Sequence, residues 1–371
     1  MKKIRVFETF SGIGAQAKAL KNINANYEIV ATCDWFINAI LAYDAIHCGD
    51  IEINIPSYEE QLNYLERFTF SKDSVKPCNI SRLTKKEIEK LYIAQVRTKN
   101  LGSIVDLHSN KIPDHDLLTY SFPCQDLSTG GKTLGMSKGS GTRSGLLWEI
   151  ERILNELNSE NRLPKYLLME NVKAILAPSN KKDFDMWKNF LESLGYNNEV
   201  MTLSGIDFGV PQDRERCFMV SVLNGKVNIE KKLKKKRFPK DKIKDFLKLN
   251  YNNSTYKKEA DEAQLPRTES REIMWNINKR DLNNLNYFNT ITCNMDRQNN
   301  AGMVLYNGPK GNSYRLLTTR EAFMMMGFTE EDFENVNKLG LSYRKMVKLA
   351  GNSIIVPILE AIFREMFNNE K

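Results

Sequence analysis

The chain has 371 residues, 41% of them apolar and 27% charged, with a formal net charge of +8. That length holds a catalytic core and a smaller module, and the ordinary apolar content, with no stretch approaching the run a bilayer requires, excludes a membrane span and predicts a soluble globular protein. The positive charge favours a polyanionic partner such as nucleic acid.

The start passes straight into a strand pattern, so no secretory leader is expected. Six cysteines, at 33, 48, 78, 124, 217 and 293, form no Cys-x-x-Cys pair. That spacing argues against a zinc site or a disulfide framework and fits a reducing cytosol.

Ile4-Arg5-Val6-Phe7-Glu8-Thr9-Phe10 is rich in β-branched and aromatic residues and predicts a strand. Ser11-Gly12-Ile13-Gly14 follows, then helical spacing over 15–21. Strand, Gly-x-Gly turn and helix open a doubly wound sheet whose first turn receives a cofactor, because glycines let the backbone approach a ligand. An ordinary tight turn between strand and helix is spelled the same way. Residues 27–32 predict a second strand, ending in Cys33-Asp34-Trp35. A carboxylate there suits a ribose diol, and Trp35 offers a flat face to an adenine ring. Asp34 is also placed to cap a helix over 35–47. Ser57 with Glu60, and Thr84 with Glu87, form capping boxes, so 50–100 reads as a helical insertion. Residues 102–107 read as a strand-like segment that places Asp106 at its end, as an acceptor for an adenine amino group or as a surface-turn acid.

Leu117-Leu118-Thr119-Tyr120 is a short buried strand running into Ser121-Phe122-Pro123-Cys124-Gln125-Asp126-Leu127-Ser128. A Gly- and Ser-rich stretch, 129–145, reads as a mobile loop. A cysteine at the end of a buried strand, fixed by a preceding proline, is placed to be a nucleophile. A plain buried thiol is the other reading. An amphipathic helix over 145–154 and a strand over 164–169 deliver Glu170-Asn171-Val172 to the same sheet edge. Glu170 is an unusual place for a solvated charge, although an acid at a helix start looks the same.

A helix over 183–194, a strand over 198–203 and Gln212-Asp213-Arg214-Glu215-Arg216 before a strand over 217–222 put two arginines at a strand boundary. Composition then turns polar over 226–289, with a basic run at 231–237 that is either a solvated face or a phosphate contact. Thr318 with Glu321 is another capping box, and Gly351-Asn352-Ser353 reads as a turn before a last apolar helix, 357–367.

Phe122-Pro123-Cys124-Gln125, Glu170-Asn171-Val172, Gln212-Asp213-Arg214-Glu215-Arg216 and Gly351-Asn352-Ser353, in this order, resemble the motif set of the DNA (cytosine-5)-methyltransferases. The likeness spans 3–222 and about 314–362, and is strongest toward the mollicute CpG-type enzymes. It implies an α/β fold: a doubly wound, Rossmann-like methyltransferase sheet in 1–222, a smaller irregular target-recognition domain in 223–312, and a return to the catalytic domain in 313–371. It implies S-adenosylmethionine as methyl donor, S-adenosylhomocysteine as product, and no metal. The donor would be bound by Phe10, Gly12, Ile13, Gly14, Asp34, Trp35, Asp106, Phe122, Leu147 and Asn352. Ala15-Gln16 stand where many members carry a further glycine. Cys124, Glu170 and Arg216 would act on cytosine with Arg214 bracing them. Pro123, Gln125, Ser128, Asn171, Thr290 and Thr292 would contact the substrate. The implied partner is double-stranded DNA with a short palindromic target, a CG-containing one being the first guess. The implied setting is a monomer in a prokaryotic cytoplasm; a cognate restriction endonuclease cannot be inferred.

The chemistry supports the same trio independently. C5 of cytosine is a poor nucleophile, so a group must add at C6 to push electron density onto it. A thiolate suits that addition. Charge then developing at N3 and O2 calls for a carboxyl group and a guanidinium. A tRNA cytosine-5 methyltransferase shares Pro-Cys-Gln, but the DNA-sized variable region favours DNA. A nicotinamide-dependent oxidoreductase would want a fuller glycine turn, and a silent DNA-binding module would not need Cys124.

Overall fold

The computed structural model describes residues 3–123, 127, 135–139, 142–278, 281–282, 285–295, 302–311 and 313–368. Cys124, Gln125 and Ser128, with residues 129–134 and 140–141 of the loop, lie outside them.

From the start the chain forms β1 (Ile4–Thr9), α1 (Ala15–Asn22), β2 (Tyr27–Cys33), α2 (Ile37–His47), α3 (Tyr58–Leu65) and α4 (Lys85–Arg97). Next come β3 (Leu117–Tyr120), α5 (Leu147–Ser159), β4 (Tyr166–Val172), α6 (Lys181–Ser193), β5 (Tyr196–Ser204), β6 (Gln212–Asp213) and β7 (Glu215–Leu223). The rest holds α7 (Ser254–Ala263), α8 (Glu269–Asn278), β8 (Phe288–Asn289), β9 (Val304–Leu305), β10 (Tyr314–Arg315), α9 (Thr319–Met324), α10 (Glu330–Asn337), α11 (Tyr343–Asn352) and α12 (Val356–Asn368).

Two compact units result. The first comprises Met1–Leu203, Arg216–Leu233 and Ile362–Lys371; the second comprises Ser204–Glu215 and Lys234–Ala361. Residues 313–361, read from the sequence as a return to the catalytic domain, group with the second unit.

The first unit is built on one six-stranded sheet in the order β2-β1-β3-β4-β7-β5. β1 runs parallel to β2 and β3, and β3 to β4. β7 enters antiparallel beside β4, with Val172 opposite Arg216 and Glu170 opposite Phe218. All four residues of β3 are buried, as a central strand covered on both faces requires. Phe7, Leu118, Tyr120, Leu167, Met169 and Met219 form the heart of its core with Ile150, Leu154 and Trp187. The insertion between β2 and β3 has a core of its own, with Ile37 and Ile40 of α2 packed among Leu65, Phe70, Ile88 and Leu91. Both capping boxes form as the spacing predicts, Ser57 with Glu60 and Thr84 with Glu87, each stabilising its helix start by about 1 kcal/mol.

In the second unit β6 pairs in parallel with β8, and β9 with β10 antiparallel. Arg315 and Glu321, both fully buried, meet in a two-pronged pair at 2.8 and 2.9 Å. Glu321 also closes the capping box of Thr318. Gly351, within α11, lets that helix lie against the backbone of Thr292 and Cys293; a Cβ there would stand 2.5 Å from Thr292 C and Cys293 N.

Four expectations are corrected. Residues 102–107 are no strand: Gly102 adopts φ 81° and turns the chain, so Ile104–Asp106 winds into a short 3-10 turn. Glu170 lies inside β4 and not beyond it. Gly351 and Asn352 end α11 and form no turn of their own. Residues Tyr343–Phe367 do contain an 18-residue window of span-like mean hydropathy, 1.6, but 72% of that window is buried inside the protein and the segment breaks into α11 and α12.

Candidate active site

The turn after β1 carries three left-handed residues: Phe10 at φ 52°, Gly12 at 55° and Gly14 at 74°. For Phe10 that conformation costs about 1 kcal/mol or more, so the surroundings must hold it. They do so partly from β2. Ser11 N–H donates to the Cys33 carbonyl at 3.3 Å, and Gly12 N–H to Asp34 Oδ2 at 2.9 Å. Asp34 Oδ1 accepts from Phe36 N–H at 2.8 Å. Burial raises the Asp34 pKa, while the N–H groups of Phe36 and Gly12 oppose the rise. Asn100, which no motif singled out, fixes Asp34 from behind: its Oδ1 accepts from Asp34 N–H and its Nδ2 donates to the Asp34 carbonyl, both at 2.9 Å.

Phe10 and Trp35 are half-buried, as is Asp34. Asp106 is exposed, and its charge, like that of Asp34, acts on the Cys33 thiol at the end of β2. Phe122 and Leu147 are buried in the main core of this unit. The donor set therefore fits an adenosine-bearing sulfonium: a carboxylate for the diol, aromatic faces for the ring and the cation, and a turn where a Cβ at Gly12 would meet nothing nearer than 4.0 Å.

Across the sheet, Arg216 Nε stands 3.5 Å from Glu170 Oε1, both side chains nearly buried. The segment leading to Cys124 is pinned beside this pair. Asn171, the next residue of β4, donates from Nδ2 to the Phe122 carbonyl at 3.1 Å. Ser144 Oγ donates to the Pro123 carbonyl at 2.8 Å. Both carbonyls before residue 124 are thus held, one of them by a serine that sequence reasoning passed over. Cys217, directly after Arg216, is buried, and its thiol is pushed up to about 12 by burial and then by the Glu170 charge. Cys48 is likewise pushed up to about 12, mainly by burial, and Cys33 and Cys78 are raised for the same reason. None of these four is a ready thiolate at neutral pH.

Arg214 lies in the second unit, buried, donating to the carbonyls of Ile291 at 2.7 Å, Ser353 at 2.9 Å and Gly351 at 3.0 Å. It acts there as a clamp on two backbone segments, one at Ile291 and one at 351–353. Thr290 Oγ1 donates to the Asp213 carbonyl at 3.0 Å, Thr292 lies on the backbone packed against Gly351, and Asn352 is exposed at the end of α11. Among the described residues no group of His, Cys, Asp and Glu is placed to hold a metal ion.

A family model described as C-5 cytosine-specific DNA methylase matches residues 67–368. The orphan methyltransferase M.SssI of Spiroplasma monobiae is 40% identical over 97% of this chain and 96% of its own length. The type II methyltransferase M2.ScrFI of Lactococcus lactis subsp. cremoris is 35% identical over 99% of this chain and 100% of its own. Among solved structures, the Dnmt2 methyltransferase of S. pombe superposes with a TM-score of 0.65 at 20% identity, each chain covered in full, a likeness of fold.

Proposed function

That the chain belongs to the C-5 cytosine-specific DNA methylase family, and is a cytosine-5 DNA methyltransferase, is the premise from which we propose how its residues divide the chemistry. The Cys124 thiolate bonds to C6 of cytosine. The displaced π pair moves through C5 and C4 to N3, where Glu170, as the neutral acid, delivers a proton. Arg216 stabilises the charge gathering at O2. S-adenosylmethionine, held by Phe10, Gly12, Asp34 and Trp35, supplies when bound an electrophilic methyl for C5. Glu170 then recovers its proton from N3. Loss of the C5 proton re-forms the C5–C6 double bond and expels the Cys124 sulfur with its bonding pair.

The reacting carbon is out of reach inside a duplex, so the base must leave the stack, at a cost of a few kcal/mol. We assign the DNA contacts to the second unit, which holds Thr290, Thr292 and the exposed lysines 234–236. The target, a short duplex containing CG, rests on the likeness to the mollicute enzymes; on a restriction–modification role the names of the relatives divide, M.SssI being an orphan enzyme and M2.ScrFI a type II methyltransferase.

The observation that carries the reading is the Glu170–Arg216 contact on adjoining strands, beside a segment whose last two carbonyls before residue 124 are pinned. Duplex DNA with 5-fluorocytosine in the target tests it, since fluorine at C5 blocks the final proton loss. With S-adenosylmethionine present, the wild type should form a protein–DNA adduct that survives denaturation, and Cys124→Ser none. A Cys124→Ser protein that still transfers tritiated methyl groups to DNA would overturn the assignment. Bisulfite sequencing of DNA from expressing cells identifies the target.

A further inference from the structure

The turn that receives the donor is tied to β2 on one side, as described. A second tie comes from beneath and belongs to none of the motifs. His47, in the last turn of α2, places Nε2 3.1 Å from the Ile13 carbonyl. That carbonyl can only accept, so the ring carries its proton on Nε2. The ring is held against Tyr43, one helical turn earlier, at 4.7 Å between centroids. Tyr43 in turn donates its hydroxyl to Glu8 Oε2, near the end of β1, at 2.6 Å. Strand, helix and turn are thereby closed into a loop of contacts, Glu8 to Tyr43 to His47 to Ile13.

Gly14 completes the arrangement. A Cβ there would stand 2.4 Å from His47 Nε2 and 2.7 Å from Tyr43 Cε2. The glycine thus makes room for the imidazole as well as for the left-handed backbone. A turn with three left-handed residues, one of them Phe10, stays in place when its neighbours over-determine it. His47 is a polar neighbour that grips this turn from α2.

We propose that His47 is a positioning residue of the donor site: through the Ile13 carbonyl it holds the Phe10–Gly14 turn in its binding conformation, without touching the donor. The proposal rests on the reading of this turn as the S-adenosylmethionine site. A free turn must pay its ordering on each binding event, so the loss of one such bond weakens binding by about tenfold. The methyl-transfer step, once the site is filled, is left alone.

The test uses full-length protein and titration calorimetry with S-adenosylmethionine, alongside thermal melting and methyl transfer at saturating donor. His47→Phe keeps a ring against Tyr43 and lacks the donor; His47→Gln returns an N–H at similar reach. The expected result is a dissociation constant about tenfold weaker in His47→Phe, with kcat within about twofold of wild type and at least partial recovery in His47→Gln. Wild-type affinity in a folded His47→Phe protein would overturn the positioning role alone. So would equal losses in both variants accompanied by equal falls in melting temperature, the mark of mere packing. Absence of any heat with wild-type protein would overturn the donor-site reading itself, and this proposal with it.

Discussion

Glu8→Gln should make the protein less sensitive to rising pH. Glu8 is completely buried near the end of β1, with Oε2 accepting from the Tyr43 hydroxyl. Burial raises its pKa from 4.5 to about 7, with the Tyr43 hydroxyl pulling the other way. Below pH 4.5 the folded and unfolded chains both keep the proton, and the group contributes no difference. Between pH 4.5 and 7 the unfolded chain releases it while the folded chain holds it, so stability falls as pH rises. Above 7 the loss is complete. The rise from 4.5 to about 7 corresponds to about 3 kcal/mol. Glutamine keeps an acceptor for Tyr43 and has no proton to lose. Tyr43 and Tyr27, whose hydroxyls feel the Glu8 charge, have pKa values raised further from this window. Urea denaturation of both proteins at pH 5, 6, 7 and 8, without donor or DNA, gives the difference between them, in which the other carboxylates cancel. The variant should gain on the wild type from pH 5 to about pH 7 and level off by pH 8. A difference that stays constant, or shrinks as pH rises, would refute the reasoning.

Gly14→Ala should lower stability by about 2–4 kcal/mol, from left-handed strain and the collision with His47 and Tyr43, as seen by denaturant titration. Ser144→Ala removes the donor to the Pro123 carbonyl; kcat should fall about tenfold while S-adenosylmethionine affinity in calorimetry is unchanged. Arg214→Met leaves three buried carbonyls without their donor and should cost at least about 3 kcal/mol, read as a drop in the denaturation midpoint.

The parts of the fold that could be read in advance are those whose cause is local. A serine or threonine and a glutamate three residues on must find one another when a helix starts, so Ser57, Thr84 and Thr318 cap where expected. Buried strands such as β3 announce themselves by composition. The chemistry of Glu170 and Arg216 could be named, but not their 3.5 Å approach. That depends on β7 entering antiparallel beside β4, and no local pattern encodes which strand becomes its neighbour. Gly351-Asn352-Ser353 spells a turn, and α11 overrides it because the glycine is needed for contact with Thr292 and Cys293. Asn100, Ser144 and His47 act on partners 66, 21 and 34 residues away, so no window along the chain contains both halves of the interaction.

The membership of residues from Ile362 onward in the first unit has a consequence for biosynthesis. Tyr166, at the start of β4, packs edge-on against Phe367 at 6.2 Å between ring centroids. Domains tend to fold as they leave the ribosome, but the start of β4 emerges some two hundred residues before Phe367 does. Throughout that interval Tyr166 is without this aromatic neighbour.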